Sequence, residues 1–200
     1  GVCTATRPRP EPKRLYREHE ICEAGNGGKH RTVKKTGIPP GSRLNNDLPV
    51  NYYDAFRGEL ERDKDITPDD LIIAFWTIKP KWLEYLFKVR NLMVRPFGLV
   101  NDTDAHEEKL IRCIKEGVGS GFTSMAGKSD NETILLLSDK HLDAYLSVYL
   151  EDMGGNKKKA TITTLVRFHY WLGYIYFYAI CPFHHVVVRG MMKVVVKQLI

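Results

Sequence analysis

The second half of the chain alternates apolar and polar residues, which is the pattern of half-buried β-strands. Four alternating stretches, at residues 122–126, 133–137, 142–150 and 160–168, are separated by polar turn segments. The third stretch places apolar residues at every second position, namely Leu142, Ala144, Leu146, Val148 and Leu150. The pattern predicts an antiparallel meander with one apolar face that another element must cover.

The region before the meander follows the period of α-helices. Thr67 suits an N-cap, Pro68 suits the first helical position, and Asp69 and Asp70 favour the positive end of a helix dipole. These signals predict one helix from this point and a second after Pro80, which ends near residues 96–98. A weaker helical pattern follows at residues 107–114.

The C-terminal segment, residues 166–197, finishes the last strand and continues as a long apolar helix. This helix is the available cover for the sheet. The element order is therefore a strand that includes Tyr52 and Tyr53, two helices, the antiparallel strands and a terminal helix. We predict an α+β helix-grip fold, in which a curved antiparallel sheet wraps around the long C-terminal helix.

Composition divides the chain unequally. Its 200 residues with 43% hydrophobic content suit one well-packed domain. Residues 1–49 carry ten basic and five acidic side chains, whereas residues 50–200 carry 20 and 19. We predict a basic, Pro- and Gly-rich N-terminal arm over residues 1–49 and the domain over residues 50–200. The near-neutral domain does not indicate nucleic-acid binding.

The cysteines do not predict a cofactor. Cys3, Cys22, Cys113 and Cys181 are widely spaced, without a CxxC pair, so we expect neither a disulfide framework nor a structural zinc site. Cys181, His184 and His185 would share one helix face, as a metal site requires, but a fourth ligand is missing nearby. We therefore expect these histidines to satisfy hydrogen bonds or to line a pocket.

Hydropathy leads us to expect a cytoplasmic protein. No apolar leader is visible, and the run over residues 170–183 is short for a membrane span and contains Gly173. Arg189, Lys193 and Lys197 are spaced by four, so they share one face of the terminal helix. That face is expected to meet solvent, and contact with an anionic membrane or a partner is the alternative.

Two groups of residues are candidates for a binding site. His141, Asp143, Arg167 and His169 alternate onto the polar faces of neighbouring strands, where they form either a ligand-holding or acid–base cluster or a cross-strand ion pair with solvated histidines. Aromatic residues with polar tips suit a pocket for a hydrophobic molecule, although such residues also fill cores. They are Tyr52, Tyr53, Trp82, Tyr145, Tyr149, Trp171, Tyr174 and Tyr178.

Three segments carry a resemblance to a known family. NYYDAFRGEL at 51–60, SDKHLDAYLSVYLED at 138–152 and TTLVRFHYWLGYIYFYAICPFHHVVVRGMM at 163–192 resemble an uncharacterised domain family of the START-like helix-grip superfamily. That family occurs alone or at the C-terminal end of short-chain-dehydrogenase-like NAD-binding proteins. The matched positions include 141–143, 167–169 and 182–184. Where a common family form has Arg after the PFH motif, this chain has His185.

The resemblance implies a START-like fold and carries no established reaction. The sequence also lacks a Walker loop, a GxSxG elbow and a dinucleotide-binding setting for its glycine cluster. We therefore expect a non-catalytic domain that binds a small hydrophobic ligand between the sheet and the C-terminal helix. The alternatives are a protein-interaction or auxiliary domain acting with an NAD-binding oxidoreductase, and an enzyme that uses the His/Asp/Arg cluster. The ligand-binding candidates are Tyr53, Trp82, His141, Asp143, Tyr145, Arg167, His169, Trp171, Tyr174, Tyr178 and His184.

Overall fold

A computed structural model of the chain describes residues 33–61, 65–94, 104–117, 119 and 122–198. Most of the predicted N-terminal arm, Cys3, Cys22 and the predicted helix end near residues 96–98 lie outside these ranges. The described residues form an α+β structure with a six-stranded sheet and four α-helices. The strands are β1 (Lys34–Thr36), β2 (Tyr52–Glu61), β3 (Thr123–Lys128), β4 (Glu132–Ser138), β5 (Leu142–Asp152) and β6 (Lys157–Phe168).

The sheet is antiparallel throughout, with strand order β1-β2-β6-β5-β4-β3. Strands β3 to β6 form the meander that the alternating pattern predicted. Strand β2 then pairs with β6 along its whole length, from Tyr52 opposite Val166 to Glu61 opposite Lys157. This long-range pairing places β2 between β1 and β6, where it contacts the C-terminal helix.

The first helix begins where its local chemistry predicted. In α1 (Pro68–Thr77) the Thr67 hydroxyl accepts a hydrogen bond from the backbone N–H of Asp70. The Asp70 carboxylate in turn accepts one from the backbone N–H of Thr67. This reciprocal pair satisfies two donors that a helix otherwise leaves unpaired at its start.

The number of helices after the first long strand differs from the expected two. Helix α2 (Lys81–Val94) follows α1, and α3 (Asp104–Glu116) is a third. Leu110, Cys113 and Ile114 of α3 are buried in the main core. Their spacing puts them on one helix face, so tertiary packing supplies the stability that the weak sequence pattern did not show.

Helix α4 (Trp171–Gln198) covers one side of the sheet, hereafter the helix-facing side. Alternate residues of β2 point to this side, and Gly58 lies against Met192 and Val196 of α4. The buried residues of α4 are Gly173, Phe177, Val188, Met191, Met192, Val195 and Val196. By length and composition residues 173–198 could cross a membrane, but this buried side ties the helix to the sheet.

The opposite side of the sheet, hereafter the outer side, is partly covered by residues 38–50. A short 3-10 helix, Arg43–Asp47, brings Leu44 against Ile134 and Leu165. The buried Glu132 carboxylate accepts hydrogen bonds from the Ser42 and Ser147 hydroxyls, each at 2.5 Å, and from the backbone N–H of Arg43 at 2.8 Å. Residues 33–49, on the N-terminal side of the division predicted at position 50, thus add a strand and this cover.

Candidate functional site

The strongest candidate site surrounds Asp54, a buried acid near the start of β2. Its side chain has no solvent exposure and points to the helix-facing side of the sheet. The Tyr52 hydroxyl donates a hydrogen bond to Asp54 Oδ2 at 2.7 Å. The Nε2 atoms of His184 and His185, both from α4, lie 3.3 Å from the same oxygen. We call Tyr52, Asp54, His184 and His185 the Asp54 cluster.

The hydrogen bonding of the cluster determines its charge state. Burial acts to raise the pKa of Asp54, but the contacts with His184 and the hydrogen bond from Tyr52 outweigh it, so this pKa is lowered. The pKa of Tyr52 is raised, first by burial and then by the adjacent carboxylate. Asp54 is therefore an ionised acceptor at neutral pH, and Tyr52 remains a neutral donor.

His185 completes the cluster as a neutral side chain at neutral pH. Burial lowers its pKa more than the Asp54 carboxylate raises it. Its Nε2 atom lies 2.6 Å from the Tyr52 oxygen, whose hydrogen is already directed at Asp54. Nε2 is therefore assigned as the donor in this contact. The His184 and His185 side chains are 21% and 40% exposed, so the cluster reaches solvent through α4.

Thr164 adds an unpaired hydroxyl beside the carboxylate. It lies directly opposite Asp54 in the pairing of β2 with β6, so the two side chains share the helix-facing side. Thr164 is 6% exposed, and its Oγ1 atom has no hydrogen-bond partner. A buried hydroxyl without a partner costs free energy, and a polar ligand group that bonded to it would remove this cost. The Thr164 hydroxyl is therefore a candidate ligand contact.

Apolar side chains lie next to the Asp54 cluster on the helix-facing side of the sheet, near the end of β6. Register pairs place Leu137 opposite Ala144 and Leu142 opposite Phe168. All four are only partly buried, although the strands around Ile162 and Val148 are fully covered. The helix layer therefore leaves this apolar surface incompletely covered beside the polar cluster.

The predicted ionic cluster divides between two places. Asp143 and Arg167 are register partners on the outer side of the sheet, away from α4. His169 Nε2 lies 3.1 Å from Asp143 Oδ2, whereas Arg167 Nη2 donates to the backbone oxygen of Asp47 at 2.7 Å. His141 is not part of either contact; its ring meets Tyr170 edge-on, and its Nδ1 atom is buried without a partner.

The electrostatics of the outer pair follow from this geometry. The hydrogen bond to Asp143 is the main reason that the pKa of His169 is raised. Burial acts to raise the pKa of Asp143, but hydrogen bonds from Ser138 and His169 outweigh it and lower that pKa. An acid–base role for this pair stays a prediction. Both side chains are partly exposed, His169 by 35% and Asp143 by 25%.

The predicted aromatic residues are not gathered around one space. Tyr53 points to the outer side and is 41% exposed, and Tyr145 lies on that side with Arg167 over its ring at 5.7 Å. Trp82 packs against Gly190, and this contact lies between α2 and α4. Trp171, Tyr174 and Tyr178 are exposed on α4, and the Tyr174 hydroxyl accepts a hydrogen bond from Asn51 Nδ2 at 2.7 Å.

Of the predicted ligand-binding residues, only His184 belongs to the Asp54 cluster. Sequence reasoning named Tyr52 among the aromatic pocket candidates, but it did not single out Asp54 or Thr164. The sequence did indicate that Asp54 is buried. It shares one face of the predicted strand with Phe56, Gly58 and Leu60, which follow it at every second position. An acid among such residues predicts a buried carboxylate that needs partners.

The cysteine and histidine arrangement considered for a metal does not form such a site here. Both histidines direct Nε2 to Asp54, and Cys181 lies near the Tyr52 hydroxyl. Within the described ranges, no group of three or more His, Cys, Asp or Glu side chains is placed to hold a metal ion.

Comparison with known proteins gives a family for the chain. A family model described as Protein of unknown function (DUF2867) matches residues 49–191, which include β2, the meander and most of α4. No curated protein and no solved structure matches the chain.

Proposed function

The chain belongs to the DUF2867 family, and we propose that its domain binds a small hydrophobic molecule between the sheet and α4 without catalysing a reaction. The Asp54 cluster and Thr164 hold the polar group of that molecule, and the partly covered apolar surface beside them contacts its body. In this proposal the architecture is a START-like helix grip. The observation that carries the proposal is a fully buried carboxylate beside an unpaired, buried hydroxyl.

Energetic cost supports a binding role for these groups. A buried charge is expensive to remove from water, and a hydrophobic residue at position 54 would pack against α4 without that cost. The Thr164 hydroxyl adds a further penalty as long as it stays unpaired. A buried hydroxyl that lacks a partner in the free protein and gains one on binding is typical of a ligand site.

The donors and acceptors limit the chemistry of the polar group. Asp54 accepts hydrogen bonds, and the Thr164 hydroxyl both donates and accepts. An ionised Asp54 repels a carboxylate placed beside it. A hydroxyl therefore fits this site better than an acid does, so we propose an uncharged alcohol with a hydrophobic body, such as a sterol or an isoprenoid alcohol.

Ligand binding can be tested with the full chain. Native mass spectrometry of protein purified from cells should detect a bound apolar molecule. A thermal-shift screen should show stabilisation by sterols and isoprenoid alcohols and a weaker response to fatty acids of equal length. A chain that carries no molecule and responds to none of these compounds would show the proposal to be wrong.

Neighbouring threonines provide a matched pair of variants. Thr163 and Thr164 are both buried, and both have an unpaired hydroxyl, but Thr163 points to the outer side. Thr164→Val should weaken ligand binding by about fivefold to tenfold, the effect of one neutral hydrogen bond. Thr163→Val should leave the dissociation constant unchanged. Equal losses in the two variants would contradict a site on the helix-facing side.

The two other functions stay predictions. An auxiliary role beside an NAD-binding oxidoreductase rests on the family resemblance alone. The alternative enzymatic role was predicted for the cluster of His141, Asp143, Arg167 and His169. It would need a substrate on the outer side of the sheet, where Asp143 and His169 are partly exposed.

A further inference from the structure

Helix α4 exposes a continuous row of side chains on the surface away from the sheet. Its apolar members are Trp171, Ile175, Tyr178 and Val186, of which Trp171 is 71% exposed and the others about half exposed. The spacings of three, four and eight residues place them on one helix face. The same face continues through the exposed Arg189, Lys193 and Lys197. We call these seven residues the α4 outer row.

Charge on this helix has one sign. The 28 residues of α4 include no Asp or Glu, so the three basic side chains of the row have no acidic neighbour on their own helix. Helix α2 packs beside α4 through Trp82 against Gly190. It adds exposed Tyr85 and Leu92 and carries one acid, Glu84, against three basic residues.

We propose that the α4 outer row binds the surface of an anionic membrane. Trp and Tyr side chains prefer the interface between lipid and water, and basic side chains bind anionic headgroups. The helix would lie in the plane of the membrane, because its other side is buried against the sheet at Phe177, Met192 and Val195. This surface is separate from the Asp54 cluster, so the inference does not depend on the proposed ligand.

The composition of the row favours lipid over a protein partner. Lysine is depleted from the buried centre of protein–protein interfaces. Helices that lie on membranes combine Trp and aliphatic residues with Lys and Arg on one amphipathic surface. The sequence alone led us to expect that the basic face of the helix meets solvent. The structure adds exposed Trp171, Ile175 and Tyr178 to that face, and this favours a membrane instead.

Cosedimentation of the full chain with vesicles tests the proposal. Vesicles of phosphatidylcholine with about 30% phosphatidylserine should bind the protein, and vesicles of phosphatidylcholine alone should bind it much more weakly. Lys193→Glu with Lys197→Glu should reduce the partition coefficient at least about thirtyfold, from the contribution of two basic side chains near an anionic surface. Trp171→Ser with Tyr178→Ser should also reduce it.

A charge-matched control separates this surface from the basic N-terminal region. Lys34→Glu with Lys109→Glu makes the same change in net charge at exposed positions outside α4. This variant should bind nearly as well as the unmodified chain. A second readout is quenching of tryptophan fluorescence by brominated lipid, which should occur in the unmodified chain and be lost in Trp171→Phe.

Three results would overturn the proposal. The first is that the protein binds anionic and neutral vesicles equally well. The second is that the α4 variant and the control variant lose the same amount of binding. The third is that the protein binds vesicles but Trp171→Phe does not change the quenching by brominated lipid. The proposal would also be wrong if the chain did not bind vesicles and a soluble protein covered Trp171. The α4 outer row would then bind a protein partner.

Discussion

Replacing Asp54 with Asn tests whether the buried carboxylate is held by the contacts described above. Asn has nearly the same volume, so the change removes the charge without leaving a cavity. In the folded chain the Tyr52 hydroxyl donates to Oδ2 at 2.7 Å, and His184 Nε2 lies 3.4 Å from Oδ1. A carboxylate accepts on both oxygens, whereas an amide accepts on one and donates from the other. One of the two donors therefore loses its acceptor.

The size of the effect follows from this count. A hydrogen bond to a charged group contributes about 1.5–3 kcal/mol, and a donor that faces another donor loses that contribution. The His184 side chain is 21% exposed, so water or a change of tautomer recovers part of the loss. We expect Asp54→Asn to lower the free energy of unfolding by about 2 kcal/mol. For a domain of this size the melting temperature falls by roughly 5 °C.

Urea denaturation at several pH values is the appropriate assay. The pKa of Asp54 in the folded chain lies below its ordinary value of 3.8, so its stabilising effect is present above that pH. The effect is lost as the pH falls through the folded pKa. The difference between the unmodified chain and Asp54→Asn should therefore be full at pH 7 and shrink in acid.

Two adjacent tyrosines give a control within the same strand. Tyr52→Phe removes a hydroxyl bonded to Asp54 and His185 and should cost about 1 kcal/mol. Tyr53→Phe, on the exposed outer side, should cost almost nothing. If Asp54→Asn is as stable as the unmodified chain at pH 7, or if the difference does not shrink in acid, the contacts do not hold the carboxylate as argued.

Three further predictions concern other parts of the fold. Glu132→Ala leaves the Ser42 and Ser147 hydroxyls without their acceptor, and urea denaturation should show a loss of about 3 kcal/mol. Gly173→Ala places a Cβ atom 2.5 Å from a backbone carbonyl oxygen in the turn before β5, so calorimetry should show a loss of about 1–2 kcal/mol. Asp143→Asn removes the main cause of the raised pKa of His169, and an NMR titration should find that pKa lowered toward its ordinary value.

Each of these has a control and a contradicting result. Glu59→Ala removes an exposed acid and should hardly change the free energy of unfolding. If it cost as much as Glu132→Ala, the hydrogen bonds of Glu132 would not explain the loss. Gly37→Ala has no atom within 4 Å of the added methyl group, and it should be tolerated. Asp47→Asn affects Arg167 instead of His169, so it should leave the His169 titration unchanged. A His169 pKa that does not move in Asp143→Asn would contradict the assigned cause.

Local features of the sequence were enough for most of the elements. The cap at Thr67 and the alternation from Leu142 to Leu150 depend on neighbours within a few residues, and both are present in the structure. Helix α3 was visible only as a weak pattern, because its stability comes from burying Leu110 and Ile114 in the core. The count of two helices after the first long strand was therefore too low.

The candidate site depends on contacts that no local pattern specifies. Asp54 and His184 are 130 positions apart, and they meet because β2 pairs with β6 beneath α4. Asp143 and His169 are neighbours because they lie at one end of the same hairpin. The face of the sheet on which they lie and the pairing of Arg167 with Asp47 depended on the path of residues 38–50.

The sequence alone determined the strands of the meander, their apolar face and the start of α1, because side-chain period and capping act over short distances. Tertiary structure decided which polar groups are buried together, because burial depends on what packs above each face of the sheet. It placed Asp54 under two histidines of α4 and left Thr164 unpaired beside it. It also left one face of α4 open to solvent, with Trp171 and Tyr178 exposed.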